Sequence, residues 1–450
     1  MTAPRTSPRP PRSAAFPGLC LAAVLLAGDP AAATQLPTSP ERFLDGARTY
    51  AERDAERCRA HPPALAPDGS VSDSPLLTRI GGAAAGTTGG RDRRLLTVTR
   101  LDDAKSSMSR PSPEGTLRWA VDAARGSDGA WIVFAEGLAG TIRLEAGLHL
   151  PSNTTVDGGC GGIELTAAPR ITQISLTDAR NVIISGLAFT KDDYDDKADK
   201  TGDAIGLTDA FDRVAILHND FHRCGDGCVD IVRKTRLSGE SRASVLFNRF
   251  RDHNKVMLIG TLTCYKDKQA EGCADPLARL ADVMEPHVFV TVAGNVFENT
   301  SQRHPKVVSN AMVWLANNML VLRPTLYSSG ADSAVYGSAT GTGGVLVAQD
   351  NIFVNPERPG RVGAGPISVV RAATGGGREA DGVVAAEDNV TVGNVTVIEN
   401  HPEMARAFRQ AEGSRIALTP ANAEAVAGCL MRIAGPRGRS QSWPGSCPRP

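Results

Sequence analysis

The stretch from Arg213 to Gly260, RVAILHNDFHRCGDGCVDIVRKTRLSGESRASVLFNRFRDHNKVMLIG, carries one short pattern twice. An alternating apolar run leads to an asparagine and, two residues on, a phenylalanine: Ile216, Asn219 and Phe221, then Val245, Asn248 and Phe250. The first copy is followed by Asp226-Gly-x-x-Asp230, the second by Asp252-His253-Asn254-Lys255 and an apolar run ending at Gly260. Short strands closed by turn residues and repeated predict the stacked coils of a solenoid. Equivalent positions of successive coils then lie above one another, so carboxylates and a lysine from consecutive coils share one face.

The same pattern extends outward. Val182-Ile183-Ile184 precedes Leu187 and Phe189; Val288 to Phe297 carries Asn295, Met312 to Leu320 carries Asn317 and Asn318, Val345 to Phe353 carries Asn351, and Val383 to Val392 carries Asn389. Stacked asparagine side chains hydrogen-bond along a ladder and satisfy backbone groups that a bend leaves open, while stacked Phe and Leu fill the core. An antiparallel sandwich calls for tight hairpin signals such as Asn-Gly between the runs, and these are absent there. The expected fold is all-β, a right-handed parallel β-helix over residues 94–400. A helix around Gly115 to Val121 is expected to cap its open apolar end. Residues 401–450, with a helical patch from Pro420 to Ile433, are expected to form a C-terminal cap and tail.

Before the coils, Arg5, Arg9 and Arg12 precede an apolar run from Ala14 to Gly28 and then Ala31-Ala32-Ala33. A basic start, an apolar centre and small residues before a cut predict a secretory signal peptide over residues 1–33. The run is short for a bilayer span and holds Pro17, and no later segment is long and apolar enough to cross, so no membrane partner is expected. Cys20 follows Leu19, where lipid attachment wants a small residue. Residues 34–93 read as an arm or linker: Arg42 to Arg59 has helical spacing, and Pro62 to Gly90 is rich in Pro, Gly, Ala, Ser and Thr.

Removing three arginines and one aspartate with residues 1–33 takes 49 basic and 49 acidic side chains to a balance of −2. That gives no support for a nucleic-acid partner; a secreted monomer, extracellular or periplasmic, is expected. Aromatic content of 5% with 46 glycines suits a turn-rich β protein. Of nine cysteines, Cys264 with Cys273 and Cys429 with Cys447 are close enough to close local disulfide loops. No Cys-x-x-Cys pair and no histidine spacing among His218, His222 and His253 marks a zinc site.

Four features carry chemistry: Asp203, preceded by the acids Asp192, Asp193, Asp195, Asp196 and Asp199; the pair Asp226 and Asp230; Lys255; and Gln302-Arg303-His304-Pro305-Lys306. Carboxylates from adjacent coils are hard oxygen ligands suited to calcium. Lys255 and Arg303 are cations for a negative ligand on the same side. Taken alone, the acidic run reads as a solvated loop and Asp226-Gly227 as a turn; one member per coil on one face is what lifts the set above those readings.

These residues also resemble a known family. Gly115-Thr116-Leu117-Arg118-Trp119-Ala120-Val121, Trp131-Ile132-Val133-Phe134, Asn153-Thr154-Thr155-Val156-Asp157-Gly158, Asn181 to Phe189, Asp226-Gly-x-x-Asp230, Phe250-x-Asp252-His253-x-Lys255 with Met257-Leu258-Ile259-Gly260, Gln302-Arg303-x-Pro305 and Asn317-Asn318 follow one another, from about residue 94 to 330, as in the pectate lyase/pectin lyase superfamily. The resemblance implies a calcium-assisted β-elimination that cleaves polygalacturonate. It implies that Asp203, Asp226 and Asp230 hold Ca2+, that Lys255 binds the substrate carboxylate, with His253 and Lys306 as further substrate contacts, and that Arg303 takes the proton from C5 of the sugar. Four positions depart from the family pattern: Thr201 stands for its first calcium aspartate, Val308 for its second arginine, and Ala215 and Leu217 for its strand Trp and Asp. Hence the rival expectations: a catalytically impaired β-helix that binds acidic glycans, a lyase for pectin or another uronate polymer, or an adhesive surface solenoid.

Overall fold

The computed structural model describes residues 33–53, 58, 62–104, 111–192, 194, 202–233, 239–261, 287–308, 310–323, 337–341, 343–356, 367–372, 382–402, 404–405 and 417–440. Their strands pair in parallel, coil upon coil. Ile174–Ser185 lies beside Ile205–Leu217, which lies beside Val229–Arg233 and Ser241–Leu246. The next coils add Val288–Ala293, Ala311–Ala316, Val345–Gln349 and Val383–Glu387 in unbroken register. A second parallel sheet of ten strands runs from Gly140–Leu144 to Asn389–Gly393 and ends on Ala33–Leu36. This is a parallel β-helix.

The repeated Asn-x-Phe pattern builds its interior. Phe189, Phe221, Phe250 and Phe297 are neighbours in register, their ring centroids 4.8, 4.9 and 4.9 Å apart, close to the spacing of strands in a sheet. Leu320 and Phe353 continue the column. At the adjoining bend Asn219, Asn248, Asn295, Asn318, Asn351 and Asn389 form a buried ladder. Each Nδ2 donates to the next Oδ1 at 3.0–3.1 Å, and each also reaches a carbonyl of the preceding coil. A bend that leaves strand hydrogen bonds unmade is thereby satisfied from inside.

The helix Leu117–Arg125 is capped by Thr116, whose hydroxyl accepts from the Trp119 amide at 3.2 Å. It buries Leu117, Ala120, Val121 and Ala124 with Leu96, Ile132 and Val156 at the start of the coils.

The described residues between 33 and 93 run along one flank from the last coils to the first. Ala33–Leu36 pairs with Asn389–Gly393, the Ala83 and Ala84 amides donate to Thr291 and Ser244, the Thr88 and Gly89 amides donate to Asn181, and Leu95–Val98 pairs with Trp131–Phe134. Val71, Leu76 and Ala84 cover an outward apolar face made of Trp131, Ile183, Ala215, Leu217 and Leu246. Ala215 and Leu217, two of the departures noted above, are therefore small or apolar because this segment packs on them. The C-terminal helix Ala423–Ile433 packs on the same flank, Val426, Ala427, Leu430 and Ile433 meeting Phe43 and Ala47 of helix Pro40–Arg53. A Cβ at Gly428 would meet the Ala47 carbonyl at 2.6 Å, which is how close the two helices come.

The described disulfides are Cys58–Cys160 and Cys224–Cys228, neither of them favoured by the sequence reading. The first spans 102 residues and pairs only once the flank segment is in place. Cys429 is disulfide-bonded; Cys264, Cys273 and Cys447 lie outside the described residues. No helix among the described residues is long and apolar enough to cross a membrane.

Candidate active site

Backbone hydrogen bonds align one turn of four successive coils. The Ala204 amide donates to Gly227 O at 3.1 Å, Cys228 to Val256 O at 2.8 Å, and Val256 to Gln302 O at 3.1 Å, with Met257 to Arg303 O at 2.8 Å. This ladder stacks Asp203, Asp226, Lys255 and Arg303 at neighbouring levels. Asp230 joins them from the strand Val229–Arg233, its Oδ1 accepting from the Leu258 amide at 2.9 Å. Gly227 has to be glycine: a Cβ there would lie 2.3 Å from Asp230 Oδ1.

The three carboxylates sense one another. Burial and then the charge of Asp226 push Asp203 up to about 6, against the Gly227 amide, which donates to its Oδ1 at 2.9 Å, and against Lys191 and Arg303. Burial, then Asp203, then Asp226 push Asp230 well above the usual carboxylate range, and Arg303 opposes the shift. Lys255 Nζ lies 3.7 Å from Asp226 Oδ1. Lys191, which the sequence reading did not single out, is 5% exposed and donates to the carbonyls of Ile171 and Asp203; burial draws it down to about 8. No motif marks it, because its place under Asp203 arises only when the coils stack.

His253 was expected to touch substrate. It is 1% exposed, and its Nε2 donates to the Asp226 carbonyl at 2.8 Å while Nδ1 accepts from the Tyr194 hydroxyl at 3.2 Å. It supports the Asp226 turn from inside. Tyr194 sits within the acidic run, and its role is invisible without the fold. Arg303 adopts a left-handed backbone at φ 63°. His304 beside it is fully buried: Nδ1 donates to Gly337 O and Nε2 accepts from Thr300, both at 2.8 Å. Lys306 opens the short strand that pairs with Leu258 and Ile259 and is half-buried. Val308 is fully buried and forms an apolar patch with Val232 and Leu258. Thr201 and Asp199 lie outside the described residues.

Among the described residues, one group of three Cys, His, Asp or Glu side chains brings its ligand atoms within 4.8 Å of one another: Cys224, Cys228 and His253. Its sulfurs are joined to each other, so it offers no thiolate pair to a soft metal. The three aspartates stand farther apart than that. Their oxygen donors, and the raised proton affinity of Asp203 and Asp230, fit a hard dication, which would draw the three inward and relieve the repulsion.

No protein-family model matches the chain. It is 27% identical over 283 residues to a probable pectate lyase of Arabidopsis thaliana, a match covering 60% of this chain and 55% of that protein. It is 26% identical over 300 residues to a pectate lyase of Hesperocyparis arizonica, covering 62% and 68%. The chain thus spans about half the length of the curated relatives it matches first. In structure it resembles the major allergen from cedar pollen, with a TM-score of 0.51 and 19% identity over 76% of this chain and 93% of that one. In sequence the chain is thus similar to pectate lyases over about three fifths of its length, and in fold it is a parallel β-helix like the cedar pollen allergen.

Proposed function

We propose that the protein is an exported polysaccharide lyase that cleaves a polygalacturonate-type polymer by calcium-assisted β-elimination. The observation that carries this reading is the stack of Asp203, Asp226, Lys255 and Arg303 on successive coils, with Asp230 beside it. The names of the relatives support it, as does the disulfide-bonded state of Cys58–Cys160 and Cys224–Cys228, which suits an oxidising compartment.

In such a cleavage a base removes the proton at C5, the C4–O bond breaks, a C4=C5 double bond forms and the departing oxygen gains a proton. Asp203, Asp226 and Asp230 would hold the calcium ion, which when bound would supply positive charge to the uronate carboxylate and acidify the C5 proton. Lys255 and Lys306 offer ammonium groups to uronate carboxylates and offset the charge that builds as the proton leaves. Arg303 accepts that proton. A guanidinium in water keeps its own, so this role needs a water-poor, cationic setting. His253 and Tyr194 hold the Asp226 turn in place.

The test is near-ultraviolet absorbance of unsaturated product from polygalacturonate, with calcium and with chelator. Calcium-dependent growth is expected, and Arg303→Ala should reduce it by about 10²–10⁴-fold with the fold unchanged. Turnover within a few-fold of wild type in that variant overturns the assignment of Arg303. The apolar Val308 in place of a cation favours a second reading, a glycan-binding β-helix that does not cut. Glycan binding without product in any condition would select it.

A further inference from the structure

Cys224-Gly225-Asp226-Gly227-Cys228 is a five-residue ring closed by its own disulfide, and both cysteines are fully buried. The backbone groups of Asp226, Gly227 and Cys228 are held by the coils on either side, and one of them by a site carboxylate. The Asp226 amide donates to Gly202 O at 3.2 Å, the Gly227 amide to Asp203 Oδ1 at 2.9 Å, and the Cys228 amide to Val256 O at 2.8 Å. The Asp226 carbonyl accepts from His253, whose ring lies against the disulfide within 4.8 Å of both sulfurs. Gly225 is at φ 97°, and a Cβ there would come within 2.3 Å of Gly202 O. The Asp226 carboxylate and the Gly227 amide thus project from a loop whose two ends are tied together.

We propose that the Cys224–Cys228 disulfide is a positioning element of the carboxylate site, holding Asp226 and the Gly227 amide in the arrangement that binds the cation. For its consequence this inference rests on the calcium-dependent reading above; for its cause it rests on the ring's own geometry. A bridge across a separation of 4 removes little freedom from the unfolded chain, whereas Cys58–Cys160, across 102, removes much more. The two disulfides should therefore divide the labour: one shapes the site, the other secures the fold.

The experiment compares wild type with Cys224→Ser/Cys228→Ser and with Cys58→Ser/Cys160→Ser. Calcium affinity is read by titration calorimetry, amide exchange around Gly227 in calcium-free protein, and thermal melting by circular dichroism. Opening the ring should weaken calcium binding at least tenfold and speed exchange at Gly227 at least tenfold, with a melting temperature within a few degrees of wild type. The other variant should melt markedly lower and bind calcium with unchanged affinity. Unchanged calcium affinity and unchanged exchange on opening the ring overturn the inference. So does a ring variant that fails to fold or melts as low as the other, for the bridge is then a general staple. A wild type that binds no calcium defeats the calcium-dependent reading instead, and exchange at Gly227 alone then decides the role of the ring.

Discussion

At the scale of single residues, the site gathers charges whose proton affinities move in opposite directions. Asp203 is raised by burial and by Asp226, and Asp230 by burial, Asp203 and Asp226, so they resist ionisation until a cation arrives. His304 is displaced the other way. Burial brings it down to about 3, the nearby His253 adds to the fall, and its bond to Gly337 O opposes it. Between pH 6.5 and 3 the unfolded chain takes up a proton that the folded one refuses. The stability associated with neutral His304 is thus present above pH 6.5 and lost as pH falls through that window, by about 1.4 kcal/mol per pH unit. Replacing His304 with Gln should lower stability at pH 7 and make its decline toward pH 4 shallower by about 1 kcal/mol per unit. Urea unfolding of both proteins across this range checks it, and parallel declines would show that His304 does not titrate in this way. Legibility at this scale was uneven. Asp226, Asp230, Lys255 and Arg303 were visible because a repeat places one functional position per coil. Lys191, Tyr194 and the inward turn of His253 were not, since each depends on contact between segments whose separation in sequence carries no signal.

At the scale of elements, the repeat itself does the specifying. A one-residue slip between coils would turn every inward side chain outward, and the asparagine column resists such a slip because each amide needs the next at one height. Asn295 shows the stake. Its Nδ2 donates to Val245 O and Asn318 Oδ1, and its Oδ1 accepts from both the amide and the side chain of Asn248, all without solvent. Asn295→Ala leaves a buried carbonyl and a buried amide without their partners, at roughly 1–3 kcal/mol each. A loss of about 3 kcal/mol in unfolding free energy is expected, measured by urea titration. A loss under about 1 kcal/mol would mean that water enters the bend and replaces the side chain. This element was legible because Asn-x-Phe recurs in the sequence with its role intact. The disulfide Cys58–Cys160 was not, because nothing local in either cysteine's neighbourhood names the other.

At the scale of the whole molecule, residues 34–93 read from composition as an arm, yet the described residues among them share a core with the coils. Their Pro, Gly and Ala content follows from lying flat on a sheet face: Gly90 passes so close to the first coils that a Cβ there would sit 2.2 Å from the Ala130 carbonyl. The segment pairs with the last coil through Ala33–Leu36 and leads directly into Leu95–Val98, which pairs with the first, so it links the two ends where a solenoid would otherwise fray. It also covers Trp131, Ile183, Leu217 and Leu246, which are fully or almost fully buried. Without it these side chains would form a contiguous apolar patch of the kind that drives association. A chain beginning at residue 94 should therefore lose its sharp thermal transition and aggregate, even though every expected site residue is still in it. Calorimetry and light scattering of the truncated protein, beside the chain beginning at residue 33, test this. A truncated protein that stays monomeric and melts within a few degrees of the longer one would show that the coils need only their internal ladders, and that the flank segment serves some purpose other than stability.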